Sequence, residues 1–350
     1  MPRKINSLLV TGGLGFIGSA FIRFVLKQKN LQIRVVNFDL MTYAASLESV
    51  KKIAKDPRYF FVKGNILDQK KVLEAIDRFA IDACIHFAAE THVDNSIADP
   101  KLFLRTNIEG TFELLECLRK RPSLHFHHVS TDEVFGSLEN GFFNEDSPYR
   151  PNSPYAASKA ASDHLVRSYA RTYKLSTTLS NCSNNYGPFQ NAEKLIPQML
   201  KKALLKQRLP VYGTGENVRD WLFVEDHVAA LWQILLWAAP SQTFTIGGGA
   251  EKTNLELVRR LLELLAFELK EAPQKYLDLI SFVKDRPGHD RRYAIDFSRL
   301  RKQLGWQPQV DLAEGLKKTL RWYLANREWL FSQKAPLKQL IKKAAVSDCI

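Results

Sequence analysis

Apolar positions in the first half of the chain fall into short runs set apart by longer amphipathic stretches. Residues 7–10, 33–38, 59–63, 83–87 and 124–129 are rich in branched and aromatic side chains, the composition of buried strands. Between them, apolar residues at helical spacing predict a helix ending near residue 29 and others over 69–79 and 100–121. This alternation predicts a parallel sheet, because a parallel strand pair needs a crossover long enough to hold a helix. Beyond residue 184 the pattern loosens into helices and short strands, as expected of a smaller unit contributed by several segments.

The first turn narrows the picture. Thr11-Gly12-Gly13-Leu14-Gly15-Phe16-Ile17-Gly18 joins the first strand to the first helix. Its glycines allow the backbone to approach a pyrophosphate, and the helix amino terminus offers unpaired N–H groups and a positive dipole end. The second strand ends at Asp39, about 20 residues on, as a dinucleotide fingerprint requires. A carboxylate there can hold the adenosine ribose hydroxyls and would repel a 2′-phosphate, so NAD is expected rather than NADP. The fold class that follows is α/β: a Rossmann-type parallel sheet with helices on both faces, and a smaller α/β substrate-binding domain. Residues 1–183 are expected to serve mainly the cofactor and 184–330 mainly the substrate, with interleaved segments and a basic tail over 331–350. Gly64-Asn65-Ile66 and Phe87-Ala88-Ala89 lie at strand ends, where small or polar residues can receive the adenine and the nicotinamide ribose.

The strand over 124–129 runs into Ser130-Thr131-Asp132-Glu133. Buried carboxylates are costly unless paired, whereas acids at the carboxyl end of such a strand face the ligand crevice. Thr131, Asp132 and Glu133 are therefore expected to be there for chemistry. Farther on, Ser153 suits an N-cap and Pro154 the first helical position, which sets Tyr155 and Lys159 on one helical face. A free tyrosine has a pKa of about 10, so acting as a base near neutrality requires a drop of roughly 3 pH units, or about 4 kcal/mol. A lysine ammonium one turn away and an oxidised nicotinamide are positive charges of the kind that lower it. One geometric difficulty stands out. Successive strand residues point to opposite faces, so both acids reach one substrate only if the backbone leaves strand geometry near Asp132.

Composition changes this little. The 350 residues are 45% hydrophobic and 25% charged, as in ordinary globular proteins with a substantial core. No apolar run reaches membrane-spanning length and the amino terminus has no signal-peptide pattern, so a cytoplasmic protein is expected. The four cysteines, Cys84, Cys117, Cys182 and Cys349, show no zinc-ligand spacing; reduced buried thiols and no metal are expected. The net charge of +13 is spread over several helices without an arginine-rich block. That distribution suits a small polyanion such as a nucleotide diphosphate better than a nucleic acid.

Thr11 to Gly18, Asp39 and Tyr155-x-x-x-Lys159 together resemble the extended short-chain dehydrogenase/reductase family of nucleotide-sugar enzymes. Within it, Thr131-Asp132-Glu133 resembles the dTDP-glucose 4,6-dehydratases. The resemblance runs over residues 7–329 and includes Asn181-Cys182-Ser183-Asn184-Asn185-Tyr186-Gly187-Pro188, Glu193-Lys194-Leu195, Arg219-Asp220-Trp221 and Asp285-Arg286-Pro287-Gly288-His289-Asp290. It implies that Thr131 positions the sugar O4, Tyr155 with Lys159 takes its proton, Glu133 takes the C5 proton and Asp132 protonates the departing C6 hydroxyl. NAD would be regenerated in each cycle. Around NAD it places Gly12, Gly15, Phe16, Ile17, Gly18, Asp39, Leu40, Thr42, Asn65, Ile66, Phe87, Ala88, Ala89, Thr91, Thr106, Tyr155, Lys159 and Asn185.

Around the dTDP-sugar the resemblance places Thr91, Thr131, Asn184, Lys194, Leu195, Pro210, Val211, Tyr212, Arg219, Asn254, Asp285, Arg286 and His289. Lys194, Arg219 and Arg286 have the chemistry to hold a diphosphate, and Tyr212 to pack on the thymine. Thr253-x-x-Glu256 is also a capping box, which gives Asn254 a structural alternative, and His289 is expected to be a hydrogen-bonded loop residue without a catalytic role. Asn65 departs from the family's usual Asp, and Thr91 from its usual Ser. A homodimer is implied, through helices around residues 156–173. The rivals are a dehydratase or epimerase acting on another nucleotide sugar, and an NAD-binding scaffold without turnover. Residues 334–350 lie beyond the resemblance and suggest a basic amphipathic helix.

Overall fold

The computed structural model describes residues 1–332, so the expectations for Cys349 and for residues 334–350 lie outside the described residues. The first half of the chain alternates as expected. It runs β1 (Ser7–Thr11), α1 (Phe16–Lys27), β2 (Arg34–Asp39), β3 (Tyr59–Lys63), α2 (Gln69–Phe79), β4 (Ala83–His86), α3 (Val93–Ala98), α4 (Pro100–Phe103), α5 (Gly110–Arg119), β5 (His125–Thr131), α6 (Pro154–Tyr173) and β6 (Ser176–Cys182). Then come β7 (Asn184–Tyr186), α7 (Leu195–Leu204), β8 (Leu209–Tyr212), β9 (Val218–Phe223), α8 (Val224–Trp237), β10 (Thr243–Ile246), β11 (Glu251–Thr253) and α9 (Asn254–Leu269). The chain closes with α10 (Gln274–Leu277), β12 (Ile280–Val283), α11 (Ser298–Leu304), α12 (Leu312–Ala325) and α13 (Arg327–Ser332).

Seven strands form one sheet in the order β10-β6-β5-β4-β1-β2-β3, with every neighbouring pair parallel. The chain winds outward from β1 in one direction and from β4 in the other, so a crevice opens beyond their carboxyl ends. Helices cover both faces. On one, Phe21, Ile22 and Val25 of α1 join a core with Val228, Leu231 and Leu235 of α8. On the other, Val72 and Ile76 of α2 meet Leu114 and Leu118 of α5 and Val166 of α6. Each such buried side chain contributes about 1.5–3 kcal/mol, which makes the sheet a rigid platform. β10 comes from beyond residue 184 yet pairs with β6, so the large sheet is not built from the first half alone.

A second core, with Met199, Leu200, Leu261, Leu265, Leu316 and Leu320, joins α7, α9 and α12 beside the small sheet β11-β9-β7. β12 and β8 make a separate parallel pair. The helix expected over 100–121 is interrupted: α4 passes through a π-helical turn, Leu104–Glu109, into α5. The irregular turn carries the buried Asn107, whose amide exchanges hydrogen bonds with the Glu90 backbone at 2.9 and 3.0 Å and donates to Ser158 Oγ at 2.8 Å. A local deviation from α geometry thus ties the ends of two neighbouring elements together. Among the described residues there is no helix long and apolar enough to cross a membrane and no cluster of metal-ligating side chains. Cys84, Cys117 and Cys182 are free and buried.

Candidate active site

Two cavities of about 260 Å³ each lie along the carboxyl ends of the central strands, and Gly12, Gly15, Ala44, Phe87 and Ala89 line both. An elongated ligand can therefore run from one to the other. At the glycine turn, Gly12 has φ +70°, and a Cβ there would stand 2.6 Å from Ala88 N. A Cβ on Gly18 would stand 2.4 Å from Gly12 O, so both positions require glycine. The amino end of α1 has no side-chain cap, which leaves its first N–H groups for a phosphate. Asp39 closes β2, and its carboxylate accepts Leu14 N–H at 2.9 Å and Met41 N–H at 2.7 Å. Burial pushes its pKa up while those two N–H groups pull it down. Asp39, Leu40, Thr42, Asn65, Ile66, Ala88 and Thr106 line the second cavity. Phe16, Ile17, Gly18, Thr91, Tyr155, Lys159 and Asn185 line the first. The cradle and its donors fit a dinucleotide. Asn65 Oδ1 already accepts Leu67 N–H at 3.1 Å, a use that the expected adenine contact must share.

β5 ends at Thr131, and the chain passes at once into a 3-10 turn, Asp132–Phe135. This removes the alternation problem, since both acids have left the strand and line the first cavity with Thr131 and Tyr155. The acids are not equivalent. Asp132 is 2% exposed, and its Oδ2 has no hydrogen-bond partner. Burial, then Glu133 and Asp220, push its pKa well above the usual carboxylate value, which favours the protonated acid. Glu133 is also raised by burial, but Arg286, Lys194 and Arg219 pull it back toward ionisation. One carboxyl is set up to donate a proton and its neighbour to accept one.

Ser153 caps α6 by accepting Ala156 N–H at 3.1 Å, with Pro154 at its first position, as expected. Tyr155 and Lys159 are 7% and 4% exposed. In the protein alone, burial, Glu133 and Cys182 push the Tyr155 pKa well up, with a hydrogen bond to Thr131 opposing them. Lys159 Nζ donates to Val129 O at 2.9 Å and lies 3.4 Å from His128 Nε2. Its hydrogen bonds thus go to β5 rather than to Tyr155.

The residues expected at the nucleotide divide into two groups. Thr91, Thr131, Asn184 and Lys194 line the first cavity. Lys194 Nζ donates to Thr91 O at 3.0 Å, and Leu195 opens α7 directly behind it. The others stand outside that wall. Arg219 is buried over the Tyr293 ring at 4.2 Å and donates to Asp290 O at 2.9 Å. Tyr212, which follows Pro210 and Val211 on β8, donates to Asp94 Oδ2 at 2.9 Å and meets His289 edge-on at 6.2 Å. Asp285 Oδ1 stands 2.6 Å from His289 Nδ1, and Arg286 Nη1 lies 3.8 Å from Asp94 Oδ1. Arg286 Nε is buried without a partner. Val211 is buried, so only its backbone can face a ligand. Asn254 begins α9, where Thr253 and Glu256 form the capping box.

Other cavity groups escaped sequence reasoning. Glu90, 8% exposed, is raised to about 7 by burial and by Glu193. Glu193 accepts from the Tyr43 hydroxyl at 3.3 Å and lines the first cavity together with Trp329. Glu193 sits in one of the family-like segments, but its partner Tyr43 lies 150 residues earlier and carries no signal in the sequence.

A parallel sheet with a glycine-rich first turn, an acid ending the second strand and a Tyr/Lys pair on α6 defines an extended short-chain dehydrogenase/reductase. Residues 9–319 match the model of the family described as GDP-mannose 4,6 dehydratase. A dTDP-glucose 4,6-dehydratase of Neisseria gonorrhoeae is 50% identical over 336 residues, 92% of this chain and 96% of that protein. The structure of a dTDP-glucose 4,6-dehydratase of Streptomyces venezuelae with NAD bound superposes with a TM-score of 0.87 at 43% identity, covering 92% of this chain and 98% of that one. A dTDP-glucose 4,6-dehydratase of Bacillus anthracis in complex with NAD gives 0.85 at 41% identity, over 94% and 100%. The chain belongs to the dTDP-glucose 4,6-dehydratase family.

Proposed function

We propose that the protein removes water from dTDP-glucose, leaving the 4-keto-6-deoxy sugar. The observation that carries the reading is the pair of adjacent carboxyls on one 3-10 turn, one held neutral and the other drawn toward ionisation, beside Tyr155. NAD, which the glycine turn, Asp39, Tyr155 and Lys159 would hold, would accept the C4 hydride and return it to C6 after water has left, while Glu133 gives the proton back to C5. Thr131 holds the sugar O4 and Tyr155 accepts its proton. Once C4 is a ketone the C5 proton is acidic, and Glu133 takes it. Asp132 protonates the C6 hydroxyl as it leaves. Each transfer of this kind contributes about 10²–10⁴ in rate when the group is correctly placed and protonated.

In this reading residues 1–183 mainly hold NAD and 184–330 mainly the nucleotide sugar, with Lys194, Arg219 and Arg286 serving the diphosphate. The three cations already act on Glu133, so they lie within electrostatic range of the reacting sugar. The cytoplasm is the compartment we assign. The proposed assembly is a homodimer through α6 and its neighbours, where Leu102, Leu104, Phe112 and Tyr173 remain 37–48% exposed. Sedimentation would show twice the chain mass; a monomer at micromolar concentration would exclude that assembly.

The test of function is incubation of the purified protein with dTDP-glucose, UDP-glucose and GDP-mannose in separate arms, followed by mass spectrometry. Loss of one water from dTDP-glucose alone is expected. Loss from another arm only would move the assignment to that sugar, and no loss from any would remove it.

A further inference from the structure

Behind Lys159 lies a buried carboxylate with no part in the reaction as described. Asp163 follows Lys159 by one turn of α6 and has no solvent exposure. Its Oδ2 accepts the Tyr149 hydroxyl at 2.8 Å and Asn181 Nδ2 at 3.0 Å, and that same amide donates to Thr131 O at 3.1 Å. Its Oδ1 lies 3.2 Å from His128 Nε2. Lys159 Nζ also approaches that ring nitrogen, at 3.4 Å. An ionised carboxylate is costly in such a place unless an opposite charge compensates it.

Burial acts against charge on the histidines, the thiol and the phenol around Asp163. From β4, burial holds His86 well below the usual imidazole range; from β5, burial and Lys159 lower His128 to about 4. From β6 and from the loop before α6, burial keeps the Cys182 thiol and the Tyr149 phenol protonated. Arg167 of α6 donates to the Tyr149 hydroxyl at 2.7 Å and its charge also acts on His128, while Asp132 and Glu133 act on Tyr155 from the 3-10 turn. Asp163 alone is left with its pKa lowered despite burial, through His128, Lys159 and Ser130. It is the counter-charge that Lys159 has.

We propose that Asp163 is a positioning residue for the reaction: as a buried carboxylate one turn along α6 it is the counter-charge that holds Lys159 as an ammonium at the carboxyl end of β5, and so sets the pH above which Tyr155 works as a base. The inference rests on the dehydratase reading above. Without Asp163, the buried lysine would shed its proton, as unpaired buried ammonium groups do, and Tyr155 would lose a positive charge one turn away on its own helix. The tether through Tyr149 and Asn181 explains why the carboxylate stays in place instead of folding onto Lys159 directly.

The experiment compares NAD-loaded wild type with D163N, D163E, K159M and K159M/D163N. Steady-state rates on dTDP-glucose are taken across pH, and tyrosinate is titrated by ultraviolet difference absorbance with Tyr155→Phe as the blank. For D163N we expect kcat to fall roughly tenfold or more, with KM within about threefold. The acid limb of the profile and the Tyr155 tyrosinate step should both move up by about one pH unit or more. D163E should recover most of the shift. In the K159M background, removing Asp163 should cost nothing further.

A slower D163N whose limb and tyrosinate step stay in place would reduce Asp163 to a packing role and overturn the proposal. So would a further tenfold loss in K159M/D163N relative to K159M, a comparison that stands even if D163N alone does not fold. If wild type itself fails to dehydrate dTDP-glucose, the functional reading falls, while the tyrosinate titration still decides the link between Asp163 and Tyr155.

Discussion

The Thr131 hydroxyl accepts the backbone N–H of Glu133 at 3.3 Å, at the residue where β5 gives way to the 3-10 turn. The same hydroxyl approaches Asp132 Oδ1 at 3.3 Å and is hydrogen-bonded to Tyr155. One side chain thus ends the strand, orients both acids and faces the phenol. Thr131→Val keeps the branched shape and removes the hydroxyl. Its kcat is expected to fall about 10²–10³-fold, as for loss of one transition-state hydrogen bond, with KM little changed. Thr131→Ser should keep most of the activity; steady-state kinetics on both variants checks this.

Asp132 trades stability for chemistry. Its folded-state pKa is raised above the unfolded value, so its stabilisation is complete below the unfolded carboxylate pKa and is lost as pH rises through the raised value. Asp132→Asn should therefore lose about 10²–10⁴ in kcat and yet melt higher than wild type in mildly alkaline buffer. In acid the two should melt together. Thermal melts across pH decide it, and a variant less stable than wild type under alkaline conditions would count against a neutral Asp132.

Glu90 obeys the same sign within a window that can be named. Burial and Glu193 raise it to about 7, so the stability it contributes is lost between its ordinary value of 4.5 and pH 7. Glu90→Gln should remove that slope and gain at most about 3 kcal/mol above pH 7. Denaturant titrations at acid and neutral pH measure it, and equal slopes in both proteins would exclude the raised Glu90.

Arg286 has a buried Nε without a partner and a distant contact to Asp94, so its guanidinium retains donors for a diphosphate. Arg286→Lys keeps the charge but loses the planar fork. Loss of one charge-assisted hydrogen bond, about 1.5–3 kcal/mol, corresponds to a rise in KM of roughly tenfold to a hundredfold. A matched fall in kcat at unchanged KM would instead give Arg286 a role at the reacting sugar.

Much of this molecule was legible along the chain because the informative features are local. The glycine turn, Asp39 at the end of β2, the Ser153-Pro154 start of α6 and the Tyr155/Lys159 spacing each depend on neighbours within one or two turns. Periodicity placed the first five strands within a residue or two of their observed ends. The π-helical turn before α5 was not legible, because it follows from what Asn107 must reach on the Glu90 backbone, seventeen residues away in sequence.

What the sequence by itself determined is the kind of chemistry: which residues can carry protons, where a pyrophosphate can sit, and that two acids follow a buried strand. What only the tertiary structure decided is the protonation of those groups. Asp132 is pushed toward its neutral form by burial, by Glu133 and by Asp220, eighty-eight positions later in the chain, whereas Glu133 is drawn toward ionisation by Arg286, Lys194 and Arg219. Asp163 stays in place as the counter-charge of Lys159 because Tyr149 and Asn181, from outside α6, hold its carboxylate. Residue identity sets what a group can do, but burial and the charges brought near it by folding set its pKa, and those are properties of the packed molecule.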